Sequence, residues 1–167
     1  TGRPNSRFPS LNNYQFEGSD SRIYGVEAST EVQLFYGVAF NGMLSYTHGK
    51  RELTLTEQEL NPNASSVQPL PLIPPLKAST GLSYAKGGFQ GGGKLRLAAK
   101  QNRTGDFESP TNGYAIVDIF GQYRFESGDL LHTIAINADN IFNATYRNHL
   151  SRIKDLMPEP GRNISLL

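Results

Sequence analysis

GYAIVDIFGQYRFESGDLLHTIAINADNIF, Gly113 to Phe142, decides how the rest of the chain is read. Its first run puts Ala115, Val117, Ile119, Gly121, Tyr123 and Phe125 on one face. Tyr114, Ile116, Asp118, Phe120, Gln122 and Arg124 fall on the other, which is mostly polar beyond Ile116. After Glu126-Ser127-Gly128-Asp129 a second run sets Ile134, Ile136 and Ala138 against Thr133, Asn137 and Asp139. Period two is the signature of a strand with two unlike faces. Each run lasts about ten residues, against a mode of roughly 5–6 in soluble sheets. A strand tilted across a bilayer needs about 9–11, so the pair predicts a transmembrane β-hairpin.

The same alternation recurs upstream. It covers Ser21 to Val32, with Glu27 and Glu31 on the polar side, and then Val38 to Thr47. A proline-initiated strand is expected from Leu72 to Tyr84, with Leu72, Pro74 and Leu76 on its apolar face. Phe89 to Lys100 follows, carrying Lys94, Arg96 and Lys100 on the polar side, and a short strand closes the chain at Gly161 to Leu167. Seven strands result. Their connections alternate between short (Gln33–Gly37, Lys86–Gly88, Glu126–Asp129) and long (Lys50–Pro71, with one helical turn near Leu55 to Leu60, then Gln101–Asn112 and Asn143–Pro160). Two length classes in strict alternation match an outer-membrane barrel, with short periplasmic turns and long extracellular loops. The chain divides accordingly into a loop or tail over 1–20 and barrel strands over 21–167.

Composition agrees. Hydrophobic residues make up 37% of the chain, too few for the core of an ordinary soluble domain but enough for a wall greasy on one side only. The 17 glycines and 8 tyrosines suit such a wall. Sixteen basic against 15 acidic residues leave no field that would draw nucleic acid, and no basic–aromatic interleaving adds one. Cysteine is absent, which excludes a disulfide framework, and no run of about 18 apolar residues offers a helical span. An open seven-stranded sheet in lipid would leave two edges of unpaired backbone groups at several kcal/mol each. Bacterial single-chain barrels also have even strand numbers. Further strands are therefore expected, and a chain starting at Thr1 is expected to be processed or part of something longer.

The last third is more specific. Ala138-Asp139-Asn140-Ile141-Phe142-Asn143-Ala144-Thr145-Tyr146-Arg147 resembles the penultimate strand of TonB-dependent outer-membrane receptors, and Pro160-Gly161-Arg162-Asn163 resembles the lead-in to their last strand. Tyr24-Gly25-Val26-Glu27, the strand from Gly113-Tyr114 to Tyr123-Arg124-Phe125, and Pro74-Pro75 are similar to further motifs of that family. The resemblance runs from about residue 20 to 167. It implies an all-β, antiparallel transmembrane β-barrel of roughly 22 strands, of which this chain would supply the last seven, in the outer membrane of a Gram-negative bacterium. It also implies an N-terminal plug domain and the rest of the barrel as partners, outer-membrane lipid around the wall, and the TonB complex engaged through an N-terminal segment. The cargo would be a scarce nutrient: a metal chelate such as a ferric siderophore, or a metal ion. The chain departs from the family in lacking the plug, the TonB-contact segment and the usual closing aromatic after Leu167.

Candidate chemistry is sparse. His48, His132 and His149 show no spacing that would place two on one face for a metal. His48 and His132 read as strand-boundary side chains. His149 lies in the last long loop, where it either contacts cargo or packs the loop. Tyr146, Arg147, Asp155 and Glu159 share that loop, and the two carboxylates could add ligands for a metal or its chelate. Glu27, Glu31, Lys94, Arg96, Asp118 and Arg124 form the expected lumen-facing wall. The glycine run Gly87-Gly88 to Gly91-Gly92-Gly93 lacks the Gly-Lys-Ser/Thr and helix of a phosphate loop, so close approach of a plug is its better explanation. No Ser-His-Asp or carboxylate-pair spacing stands out and no cofactor is implied, so import rather than catalysis is expected. Two rivals remain: a smaller outer-membrane barrel enzyme and a soluble β-sandwich binding module.

Overall fold

The computed structural model describes residues 18–167, together with the backbone of a short antiparallel pair, β1 (Arg3–Pro4) and β2 (Asn12–Asn13). The loop or tail expected over 1–20 lies largely outside the described residues. Then come β3 (Ser21–Gln33), β4 (Val38–Glu52), α1 (Leu55–Leu60), β5 (Val67–Pro69), β6 (Lys77–Lys86), β7 (Phe89–Ala98), β8 (Tyr114–Ser127), β9 (Leu130–Asp139) and β10 (Asn163–Leu166). All strands from β3 onward join one antiparallel sheet in the order β10-β9-β8-β7-β6-β4-β3, with β5 attached to β4. The protein is all-β, an antiparallel up-and-down sheet.

Register shows why alternation along the chain becomes a property of the sheet. Ile119 stands opposite Gly93, which faces Leu82, then Phe40, then Val32. In the other direction Ile119 meets Ala138, which meets Ile164. One step along, Asp118 faces Lys94, then Gly81, Asn41 and Glu31, and Asp139 faces Asn163. Apolar side chains therefore dominate one face and polar ones the other, with Met43, Ile116 and Phe120 among the large apolar residues on the polar side. The apolar face is bare: Leu82 is 56% exposed and Ile164 64%. Among the described residues no element packs over it, so a two-sheet sandwich, which would bury this face, is not what forms. Large aliphatic rows left open in this way suit lipid.

Aromatic rings bracket the apolar band. At the short-turn end Tyr84 packs against Phe89, and Phe125 lies 5.0 Å from His132. At the long-loop end Tyr24 stacks on His48 at 4.9 Å. From Val38 to Tyr46 the outward residues of β4 cover about 27 Å along the strand and, at a tilt of about 40°, about 21 Å of membrane depth, close to the roughly 25 Å band of such barrels. Among the described residues no helix is long and apolar enough to cross a membrane; barrels cross with strands.

The structure revises several expected boundaries. Leu72, Pro74 and Leu76 precede the strand, which begins at Lys77. Leu72 adopts φ +59°, the two prolines cannot donate to a ladder, and Ile73 turns inward to be buried. β4 runs on to Glu52 because β3 and the unexpected β5 pair with its far end. The last hairpin turns on Gly128 and Asp129 alone, with Gly128 at φ +61°, as a two-residue hairpin loop requires at its first position.

Candidate functional site

All three long connections, residues 53–76, 99–113 and 140–162, leave the sheet at the same end, and they are tied together there. In the first, Thr54 caps α1 in a reciprocal capping box with Glu57. Arg51 grips the Glu57 carboxylate with both guanidinium nitrogens, at 2.9 and 3.0 Å, and reaches Asp106 of the second loop at 2.8 Å. Gln101 donates to the Ile73 carbonyl at 2.9 Å, again joining first loop to second. Glu57 is held at about 2, well below the usual carboxylate range, chiefly by its bond to Arg51 and then by the Thr54 N–H.

The second and third loops meet over a buried polar cluster. His149 is only 2% exposed. Its Nδ1 lies 3.0 Å from the Thr111 hydroxyl and 3.4 Å from Lys154 Nζ. Its Nε2 is 3.1 Å from Glu108 Oε1, close but misaligned for a hydrogen bond, so this nitrogen has no good partner among the described residues. Lys154 lies 3.7 Å from the same carboxylate oxygen. Glu108 also accepts the backbone N–H groups of Leu72 and Gly105, at 3.1 and 3.2 Å, so one side chain joins all three loops. Burial first, and the neighbouring Lys154 second, push His149 below the ordinary imidazole range, while Glu108 pulls the other way.

The base of the third loop explains two of the sequence motifs. Asn140 takes φ +50°, its amide bonds Ala144 at both ends of the side chain, at 2.8 Å each, and its own N–H donates to Asp118 at 3.0 Å. Asn143, at φ +53°, accepts the Arg162 N–H at 2.9 Å. A Cβ on Gly161 would lie 2.6 Å from that same Asn143 oxygen, so a larger residue would have to push the Asn143 amide off its bond to Arg162. The two asparagines and the Pro-Gly-Arg-Asn lead-in thus form one clasp between the two ends of the loop.

Between the second and third loops lies a cavity of about 560 Å³, lined among others by Lys100, Asn102, Tyr146, Arg147, Lys154 and Asp155. Of the candidates in the last loop, Tyr146, Arg147 and Asp155 line it. The Tyr146 ring rests against Tyr114 at 4.6 Å, Arg147 donates to the Lys154 carbonyl, and Asp155 accepts from Ser109. His149 is buried behind this cavity in the polar cluster, and Glu159 is half-buried, its N–H bonding the Tyr146 carbonyl at 2.9 Å. Lysine and arginine outnumber carboxylates in the lining. Among the described residues no three His, Asp or Glu side chains converge as a metal ligand set.

Register puts Glu27, Glu31, Lys94, Arg96, Asp118 and Arg124 on one face, the polar one. Arg96 and Asp118 pair bidentately at 2.6 and 2.9 Å, and Ser45 donates to Glu27 at 3.1 Å. Sequence reasoning passed over Arg51, Glu108, Thr111 and Lys154. The spacing Thr54-x-x-Glu57 is a signal that could have flagged the capping box; the partners of Glu108 lie too far along the chain for any spacing to expose them.

The profile of the family described as TonB dependent receptor-like, beta-barrel matches residues 1–141. Among solved structures, the copper transporter OprC is similar, at 30% identity and a TM-score of 0.71 over 87% of this chain. The chain spans only 22% of that protein's length. No curated protein matches it by sequence.

Proposed function

The chain belongs to the TonB-dependent receptor β-barrel family, and from that premise we propose that it is the C-terminal part of an outer-membrane importer whose cargo is a metal held in an anionic chelate. The observation that carries this is the pairing of an oil-facing sheet side with a basic cavity at its long-loop end. On this proposal the long loops face outside and the short turns face the periplasm. The polar rows line the lumen against an N-terminal plug, and TonB acts through a segment outside this chain. Lys100, Arg147 and Lys154 would attract a chelate's negative charge, whereas they would repel a bare cation. A bare metal ion is the second reading, favoured by the name of the similar copper transporter.

The protein would move its cargo without transforming it. A barrel enzyme would need Ser, His and Asp to converge at the rim. His132 instead stacks on Phe125, and His149 is enclosed by Glu108, Thr111 and Lys154.

The test uses full-length receptor in the outer membrane, with Arg147→Glu and Lys100→Glu combined. Uptake of a labelled anionic ferric chelate should fall at least about tenfold, the scale of one lost charge-assisted contact, with surface expression unchanged. Unchanged chelate uptake together with altered uptake of free copper would favour the second reading.

A further inference from the structure

At the long-loop end of the apolar face, beyond Tyr46, the residue type changes abruptly. Arg22 and Lys50 stand directly opposite each other across β3 and β4. They share the outward face with the next row, Tyr24 and His48. Like charges in directly opposed positions destabilise a sheet unless something anionic lies between or over them. Neither cation forms an ion pair among the described residues. A third cation joins them from far along the chain: Arg103 of the second long loop folds back so that its guanidinium donates to His48 Nδ1 and Tyr46 Oη and sits 5.8 Å from the Tyr46 ring centre. Arginine cannot accept, so in this contact His48 Nδ1 is the acceptor. The carboxylates of Asp20 and Glu52 share this outward face one row further from the apolar band, and neither approaches a cation closely enough to pair.

We propose that this patch, Arg22, Lys50 and Arg103 over a floor of Tyr24, Tyr46 and His48, binds the phosphate of a lipid headgroup in the leaflet that surrounds the long-loop end. Depth supports a lipid as the source. Lys50 and Arg22 lie two outward positions, four residues, beyond Tyr46, where the apolar band of β4 ends, and Arg103 folds back onto the Tyr46 ring itself, which is the level of headgroup phosphates rather than of bulk water. The rings give the first sugars or glycerol of the headgroup an amphipathic surface, and the cations supply its counter-charge. The acidic row beyond would face the outer, hydrated part of the headgroup. This goes beyond import but rests on the membrane orientation proposed above. Lipid binding is measured without cargo, so failure of either test leaves the other readable.

The experiment takes full-length receptor in an uncharged maltoside detergent and titrates it with bis-phosphorylated lipid A, reading bound lipid by native mass spectrometry. Each of Arg22→Gln, Lys50→Gln and Arg103→Gln should weaken binding about fivefold, and the triple variant roughly a hundredfold. Lys86→Gln, on the same outward face at the short-turn end, should bind as the parent does. Removing both phosphates from the lipid should weaken binding to the parent by the same factor and make no further difference to the triple variant. Undiminished affinity in the triple variant, equal affinity for the dephosphorylated lipid, or full displacement by millimolar inorganic phosphate would each overturn the proposal. Should the triple variant fail to fold, Arg103→Gln alone, an exposed loop position, carries the test: a fivefold loss supports it and no loss overturns it.

Discussion

The wall and the loop cap are built on opposite plans. In the wall, each residue's environment follows from its parity: Ile119 and Asp118 are neighbours in the chain, yet one joins a row running from Val32 to Ile164 and the other a row containing Lys94, Asn41 and Glu31. Backbone ladders carry the structure, and side chains mainly choose between lipid and water. In the cap there is almost no ladder. Position is set by single side chains with several partners, Arg51 and Glu108 above all. A wall of the first kind tolerates substitution so long as polarity is kept; a cap of the second kind fails at particular atoms.

The sharpest way to break that contrast is Glu108→Ala. It strips a buried carboxylate from Lys154 and His149 and from two backbone N–H groups. Local stability of the cap should fall by about 3–5 kcal/mol, as when one partner of a buried pair is removed. Hydrogen exchange should rise across residues 100–112 and 145–160 while β6 to β9 stay protected. Equal loosening of the wall would mean that the two regions are one cooperative unit.

Next in size is a pair of substitutions one residue apart in parity. Leu82→Arg, on the bare apolar face one outward position inside Tyr84, should destabilise the barrel by about 1–3 kcal/mol in refolding titrations from urea into lipid vesicles, between the costs of arginine at the bilayer midplane and at its interface. Ser83→Arg, on the polar face, should cost well under about 1 kcal/mol. Similar losses from both would deny the sidedness of the sheet.

The smallest effect comes from acid, and it should touch the cap alone. His149 is held below its usual range, so the folded cap binds this proton less readily than the unfolded chain, whose histidine titrates near 6.5. The associated stability is complete above about pH 6.5 and is lost as pH falls through the lower folded value. Glu57 acts later. Its contribution is present above its unfolded value near 4.5 and disappears as pH drops toward about 2, weakened throughout because its side chain is 37% exposed. Hydrogen-exchange protection of the cap, corrected for the intrinsic rate at each pH and followed from pH 8 downward, should therefore fall first around His149 and only afterwards around α1.

What could be read in advance follows the same division. Alternation is a local signal, so the strands from Ser21 to Asp139, the short turns and the helical turn at Leu55 to Leu60 were legible to within a few residues. The misplaced start at Leu72 came from extending that rule through two prolines, where a buried Ile73 and a left-handed Leu72 override it. β5 was missed because three residues ending in proline are too few to show a period. In the candidate site, Tyr146, Arg147 and Asp155 were singled out because they share one loop, and all three line the same cavity. The setting of His149 was not legible, since Glu108 and Thr111 approach it from another loop.

The clasp formed by Asn140, Asn143, Gly161 and Arg162 closes the third loop at its root, independently of what lies between. With the ends already held together, lengthening the interior adds little to the entropy of closure, about 0.6 kcal/mol per doubling. The exposed stretch Leu156 to Pro158 therefore tolerates insertion, while His149 and Lys154 stay pinned by Glu108. Specificity could be rewritten there, or a reporter peptide spliced in, with the staves beneath keeping their alignment.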